Sequence, residues 1–192
     1  MTFDEAKEFC EEHFQGTEIR DKIVTDKEFQ DCTFSNIQFN QAGFLRCRFL
    51  DCQFENCDLS NLTVKNCTFR DTEFKASKII GINWTETSGF HGVKFLDSVL
   101  SFSICSGMDL RRLVIENCHA HEMDFAHANL SEAKMRRSDF KGSQFSATNL
   151  TKADFREALN YRIHPIENTL KQTKFSLPEA TSLLYQLDII LE

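Results

Sequence analysis

The chain has 192 residues, a formal net charge of −7 and an apolar share of 41%, enough for one domain with a substantial core and an argument against a nucleic-acid-binding surface. No stretch reaches the ~20 apolar residues of a membrane helix. The acidic opening MTFDEAKEFCEEHF has neither the basic nor the apolar region of a signal peptide. The expected setting is cytoplasmic, where the eight cysteines stay free thiols.

Residues 1–16 form an N-terminal cap. A short amphipathic helix over residues 3 to 14 would place Phe3, Ala6, Cys10 and Phe14 on one side. Ile19 and Val24 then lead into a repeat that occupies residues 17–158. Stepping by five from Phe29 gives Phe34, Phe39, Phe44, Phe49 and Phe54, and the series runs on through Leu59, Val64, Phe69, Phe74, Ile79 and Trp84. The phase slips by one residue near Gly89. It resumes at Phe90 and continues to Phe155, with only Cys105 and Ala120 not bulky and apolar. Two residues before most centres stands Cys, Ala, Ser or Thr, and late repeats such as ANLSE, SDFKG and ADFRE show the whole unit.

A period of five suits neither a helix, at 3.6, nor a flat strand, at 2. It suits one side of a square coil. Centre and small residue lie two apart, so in an extended segment both point inward. Four sides close a coil of about twenty residues, and coils stacked at about 4.8 Å give a rod of about seven turns and ~30 Å. Stacking predicts four columns of centres, beginning at Phe29, Phe34, Phe39 and Phe44, with Trp84 beside the small centre Cys105. Gly89 is expected to absorb the extra residue as a bulge.

The same count explains CRFLDCQFENCDL. Cys47, Cys52 and Cys57 are five apart and take the small inward position on three successive sides, as do Cys32, Cys67 and Cys118. They read as small buried hydrophobes rather than a metal or disulfide cluster. Stacked pairs such as Cys32 with Cys52 have Cβ atoms about 4.8 Å apart, beyond the ~3.8 Å that a disulfide prefers.

Residues 159–192 form a C-terminal cap. SLPEATSLLYQLDIILE predicts a helix, with Ser176 and Glu179 at capping-box spacing and Pro178 in the first turn. Leu183, Leu184, Leu187, Ile189, Ile190 and Leu191 are more apolar side chains than a free tail needs. They are expected to cover the last coil and to bury against a second copy, giving an end-to-end homodimer.

A filled rod offers no cleft, and the sequence holds no phosphate loop, HExxH or nucleophile elbow, so no catalytic residue and no cofactor is assigned. In HAHEMDFAH, His119 and His121 flank Ala120 and point outward together, within reach of one metal. The sequence fixes no third ligand, and zinc needs three or four. The expectation is surface histidines and no metal.

The phased five-residue motif over about residues 17 to 158 resembles the pentapeptide-repeat family. That resemblance implies an all-β fold, a right-handed quadrilateral parallel β-helix. Near-complete coverage, Phe-rich centres and an apolar C-terminal segment are similar to the Qnr-type quinolone-resistance and microcin-immunity subgroup. The resemblance to this subgroup implies a non-enzymatic protein that binds DNA gyrase or topoisomerase IV as a DNA mimic and protects it from quinolones or peptide toxins, without itself binding nucleic acid or membrane. Charge does not add to that reading. Residues 29 to 158 carry 16 acidic and 15 basic side chains, and Lys134, Arg136, Arg137 and Lys141 make a basic patch. DNA carries about one charge per 1.7 Å. An alternative partner contact lies in Leu96, Val99, Phe102 and Ile104, which sit close together at non-core positions. The alternative function is a scaffolding solenoid with another partner.

Overall fold

The computed structural model describes residues 6–16, 19–187 and 189. The chain winds as a right-handed, four-sided parallel β-helix of about eight turns. Each side is one repeat. Three-residue strands are too short to stand alone; they persist because they pair with neighbouring coils.

Two sides form regular sheets. On face one the strands Glu8–Cys10, Glu28–Gln30, Arg48–Leu50, Thr68–Arg70 and Gly89–His91 pair in parallel. On face two the strands run from His13–Gln15 through Thr33–Ser35, Gln53–Glu55, Glu73–Lys75 and Lys94–Leu96 to Val114–Glu116. The register is twenty residues, as in Phe29 with Phe49 and Phe34 with Phe54. Faces three and four pair mostly through single bridges, among them Asp58 with Lys78 and Ile104 with Asp124.

The centres fill the rod. Phe29, Phe34, Phe39, Phe44, Phe49 and Phe74 have no exposed surface. Rings stack up the columns that begin at Phe29 and Phe34, at 5.1 Å for Phe29–Phe49 and 4.5 Å for Phe34–Phe54, and meet edge-on between them, at 5.3 Å for Phe29–Phe34. Both geometries suit the aromatic quadrupole. The small position does more than leave space. Its thiol or hydroxyl donates to a carbonyl of the coil before: Cys52 Sγ to Phe29 O at 3.3 Å, Thr72 Oγ1 to Phe49 O at 3.2 Å and Ser138 Oγ to Ile115 O at 3.0 Å. Cys is therefore a donor here as well as an apolar filler.

Two residues after most centres the backbone turns the corner in the left-handed region, with φ from 48° at Ala76 to 63° at Arg112. Asp31, Asn36, Asp51, Asn56, Asn61 and Asn66 hold such corners, as expected of side chains that tolerate this conformation. Gly81 turns its corner at φ 71°, where a Cβ would lie 2.6 Å from Asn61 Oδ1 and would require that side chain to move.

The extra residue falls between Asn83 and Gly89. Pairing steps by 21 from Thr68 to Gly89 and from Asn83 to Ile104, so the expected columns keep their faces. The residue is taken up by a 3-10 turn, Trp84–Glu86, whose N-cap Asn83 accepts from Thr85 N, rather than by a bulge at Gly89. Trp84 stays in the core among Phe69, Phe74, Phe90 and Phe95, at 5.1 to 5.9 Å, with the buried Cys105 on the next coil. Face one breaks here. Among the described residues no bridge joins Gly89–His91 to Asp109, and a cavity of about 200 Å³ lies between them, beside Met108.

The coil extends beyond the expected repeat at both ends. Residues 6–16 are not helical. Phe9 and Phe14 lie twenty residues before Phe29 and Phe34, and stack on them at 5.1 Å in strands of their own. That burial outweighs the helical spacing, and Cys10 is left exposed. Phe3 lies outside the described residues. At the far end Phe175 stacks on Phe155 at 5.6 Å, and Lys174–Phe175 pairs with Asp154–Phe155. Tyr161 and Ile163 are buried where the motif lapses. A 3-10 helix, Glu179–Gln186, follows. Its capping box does not form. Ser176 Oγ accepts from Glu157 N at 3.2 Å and Glu179 Oε1 from Asn160 N at 2.7 Å, so these side chains tie the helix to the last coil instead.

Candidate functional site

Away from the break at Gly89 and the groove beside the C-terminal helix, a site must be built from side chains stacked on neighbouring coils. Most of the arginines are engaged by neighbouring carboxylates. Arg46 makes two hydrogen bonds of 2.7 Å to Asp26, one coil back, and Arg48 meets Glu28 at 2.9 Å. Arg112 meets Glu132 at 3.1 Å across two coils, whereas Arg156 grips Asp154, two residues back on its own coil, through Nε and Nη2 at 2.8 and 2.6 Å. These arginines hold Asp26 and Asp154 below the usual carboxylate range, as Arg111 does Asp109. Each such pair cancels its own charges locally.

Seven of the eight thiols are shielded by burial. Burial pushes Cys57 up to about 11, and Cys52 and Cys118 up to about 12. All eight cysteines are free and only Cys10 is exposed.

The apolar side chains expected as a contact are spread over adjacent sides. Leu96 lies on face two, Val99 on face three and Ile104 on face four. Phe102 occupies the corner between the last two, with φ 62° and 62% of its surface exposed. A bulky residue in the left-handed region is strained, so folding alone does not account for it.

At the C-terminal end Leu183 packs partly against the core, while Leu184 and Ile189 are exposed and Leu187 is intermediate. Ile190 and Leu191 lie outside the described residues. The 3-10 helix covers one side of a broad groove of about 1210 Å³, lined by His121, Glu122, Asp139, Asn160, His164 and Glu179 among others.

The histidine pair has a neighbour that the sequence reading missed. His119 pairs with Asp139 across face three, one coil apart, and His121 Nε2 lies 3.1 Å from Asp139 Oδ2. The signal was available, because residue 139 is residue 119 plus one coil. Among the described residues this is the one group of three whose donor atoms all lie within 4.8 Å of one another.

Comparison with known proteins follows the fold. Residues 27–100 match the family model described as pentapeptide repeat region, and residues 124–159 match pentapeptide repeats in eight copies. The chain belongs to the pentapeptide-repeat family. Among solved structures, a trypsin-treated form of QnrB1, a plasmid-mediated fluoroquinolone resistance protein, is similar at 20% identity and TM-score 0.57, covering 97% of this chain and 99% of that one. A second trypsin-treated form is similar at 19% identity and TM-score 0.50, covering 96% and 97%. At this identity the likeness is one of fold. No curated protein matches the chain in sequence. No helix among the described residues is long and apolar enough to cross a membrane.

Proposed function

We propose that this pentapeptide-repeat protein acts without catalysis, as a rod that binds a type II topoisomerase, DNA gyrase or topoisomerase IV, in the cytoplasm and protects it from quinolones or peptide toxins. The observation that carries the reading is a repeat rod that aligns over nearly its whole length with a fluoroquinolone resistance protein. The contact uses the convex faces, with the exposed Phe102 corner as its apolar centre and Leu96, Val99 and Ile104 around it. The exposed Leu184 and Ile189, with Leu183 and Leu187 beside them, join two rods end to end.

The test is a gyrase supercoiling assay with ciprofloxacin. Micromolar protein is expected to restore supercoiling or to inhibit it in the absence of drug. No effect on gyrase or topoisomerase IV would remove this target. Light scattering at the same concentration tests the dimer, which a monomer's mass would reject. The locally paired charges favour a second reading, a scaffold with another partner, since a DNA mimic needs an unneutralised acidic stripe. A pull-down that recovers a different protein while gyrase stays unaffected would establish it.

A further inference from the structure

We propose that His119, His121 and Asp139 bind one divalent transition-metal ion of the zinc class, with the remaining coordination positions left to water. This is independent of any topoisomerase partner.

The geometry supports it on four counts. First, the fold places the donors. His119 and Asp139 are cross-coil neighbours, with Cβ atoms about 4.8 Å apart. His121 lies two residues on from His119 on the same coil, its ring 5.7 Å from that of His119. Second, the spacing suits a shared ion. Ligand atoms about 2.0–2.1 Å from zinc at tetrahedral angles lie roughly 3.3 Å apart; His121 Nε2 and Asp139 Oδ2 are 3.1 Å apart.

Third, that nitrogen is buried, and its near polar neighbour is the Asp139 oxygen, at a separation that a shared ion also spans. An ion between nitrogen and oxygen would satisfy both atoms. Fourth, the carboxylate is already oriented from behind. Its Oδ1 accepts from Asn160 Nδ2 at 2.8 Å and from Lys141 N at 3.1 Å, leaving Oδ2 to face the histidines. Outer hydrogen bonds of this kind fix ligand orientation in metal sites. Two imidazoles and one carboxylate select zinc, cobalt, nickel or copper over magnesium and calcium, which prefer all-oxygen shells. The ion would stitch two adjacent coils together at the edge of the C-terminal groove.

The test uses full-length, tag-free protein carrying Cys10→Ser, which removes the exposed thiol. Zinc chloride is titrated by calorimetry and cobalt(II) by its visible absorption. One ion per chain is expected. His121→Ala and Asp139→Asn should each weaken binding by at least about tenfold, and Asn160→Ala by about tenfold through lost orientation. His127→Ala, outside the cluster, should bind as the parent does. Circular dichroism separates a folded variant from an unfolded one. Imidazole NMR shifts of His119 and His121 on zinc addition report the site in the parent without any substitution of a ligand. The proposal is overturned if the parent shows no binding up to about millimolar zinc, if the ligand variants keep parent affinity, or if the imidazole signals of His119 and His121 stay in place while zinc binds.

Discussion

Replacing Phe49 with alanine tests whether the ring columns hold the rod together. Phe49 has no exposed surface. It stacks on Phe29 and Phe69 at 5.1 and 4.9 Å, and meets Phe44 and Phe54 edge-on at 5.0 and 5.5 Å. Removing a buried Phe ring costs about 3–5 kcal/mol, with the spread set by how far the site can collapse. This site can collapse little. The coils on either side are held at strand spacing by backbone bonds such as Arg48 N to Lys27 O at 2.8 Å and Thr68 N to Cys47 O at 2.9 Å. Closing the cavity would break them, so the expected loss is near the top of the range, about 4–5 kcal/mol. Urea unfolding followed by circular dichroism and by the fluorescence of the single tryptophan, Trp84, measures it and checks that the two transitions coincide. A loss below about 2 kcal/mol at unchanged m-value would show that coils can approach, and would refute the argument from fixed spacing.

Further outcomes follow from the same geometry. Phe102→Gly should raise stability by about 0.5–1 kcal/mol, because glycine relieves the left-handed corner at φ 62° and little packing is lost; urea unfolding shows it, and a destabilised variant would mean the ring packs in solution. A thiol-reactive dye should modify only Cys10 in the native protein and all eight cysteines after unfolding. Asp154→Asn should destabilise the protein at neutral pH. Arg156 depresses the folded-state pKa of Asp154, so its contribution is present above the unfolded value of about 3.9 and lost as pH falls through the lower folded value. Thermal melts of both proteins should therefore converge in acid.

The sequence was most legible where one signal repeated. Phased centres specified the columns and faces from Phe29 to Phe155, and even the one-residue slip kept its register. Legibility failed where a second pattern competed or the repeat lost its residue types. Phe9 and Phe14 are five apart, but Cys10 and Phe14 are four apart, and the helical spacing masked a coil that the ring stacking on Phe29 and Phe34 reveals. After Ala158 the coil continues with Tyr161 and Ile163 as substitutes. There the shape of the preceding coil templates the chain more than its own motif does. Asp139 was missed because ligands were sought along the chain, whereas in a solenoid the nearest outward neighbour is twenty residues away.

Charge decides between the two ways in which this rod could meet a topoisomerase. Arg46 and Arg48 neutralise Asp26 and Glu28, one coil back. If the partner reads the rod as DNA, these arginines oppose binding, and Arg46→Gln with Arg48→Gln should uncover an acidic stripe and strengthen inhibition of supercoiling. Binding would then weaken steeply with salt, because a DNA-binding groove responds to the number of charges it pairs. If contact is instead made through the Phe102 corner, the double variant should act as the parent, salt should matter little, and Phe102→Gly should abolish the effect while the rod stays folded. Stronger inhibition by the arginine variant together with an unchanged Phe102→Gly would reject the apolar contact. The converse would reject mimicry. The paired side chains predict the apolar result, since each ion pair removes the charge that a DNA-binding surface would detect.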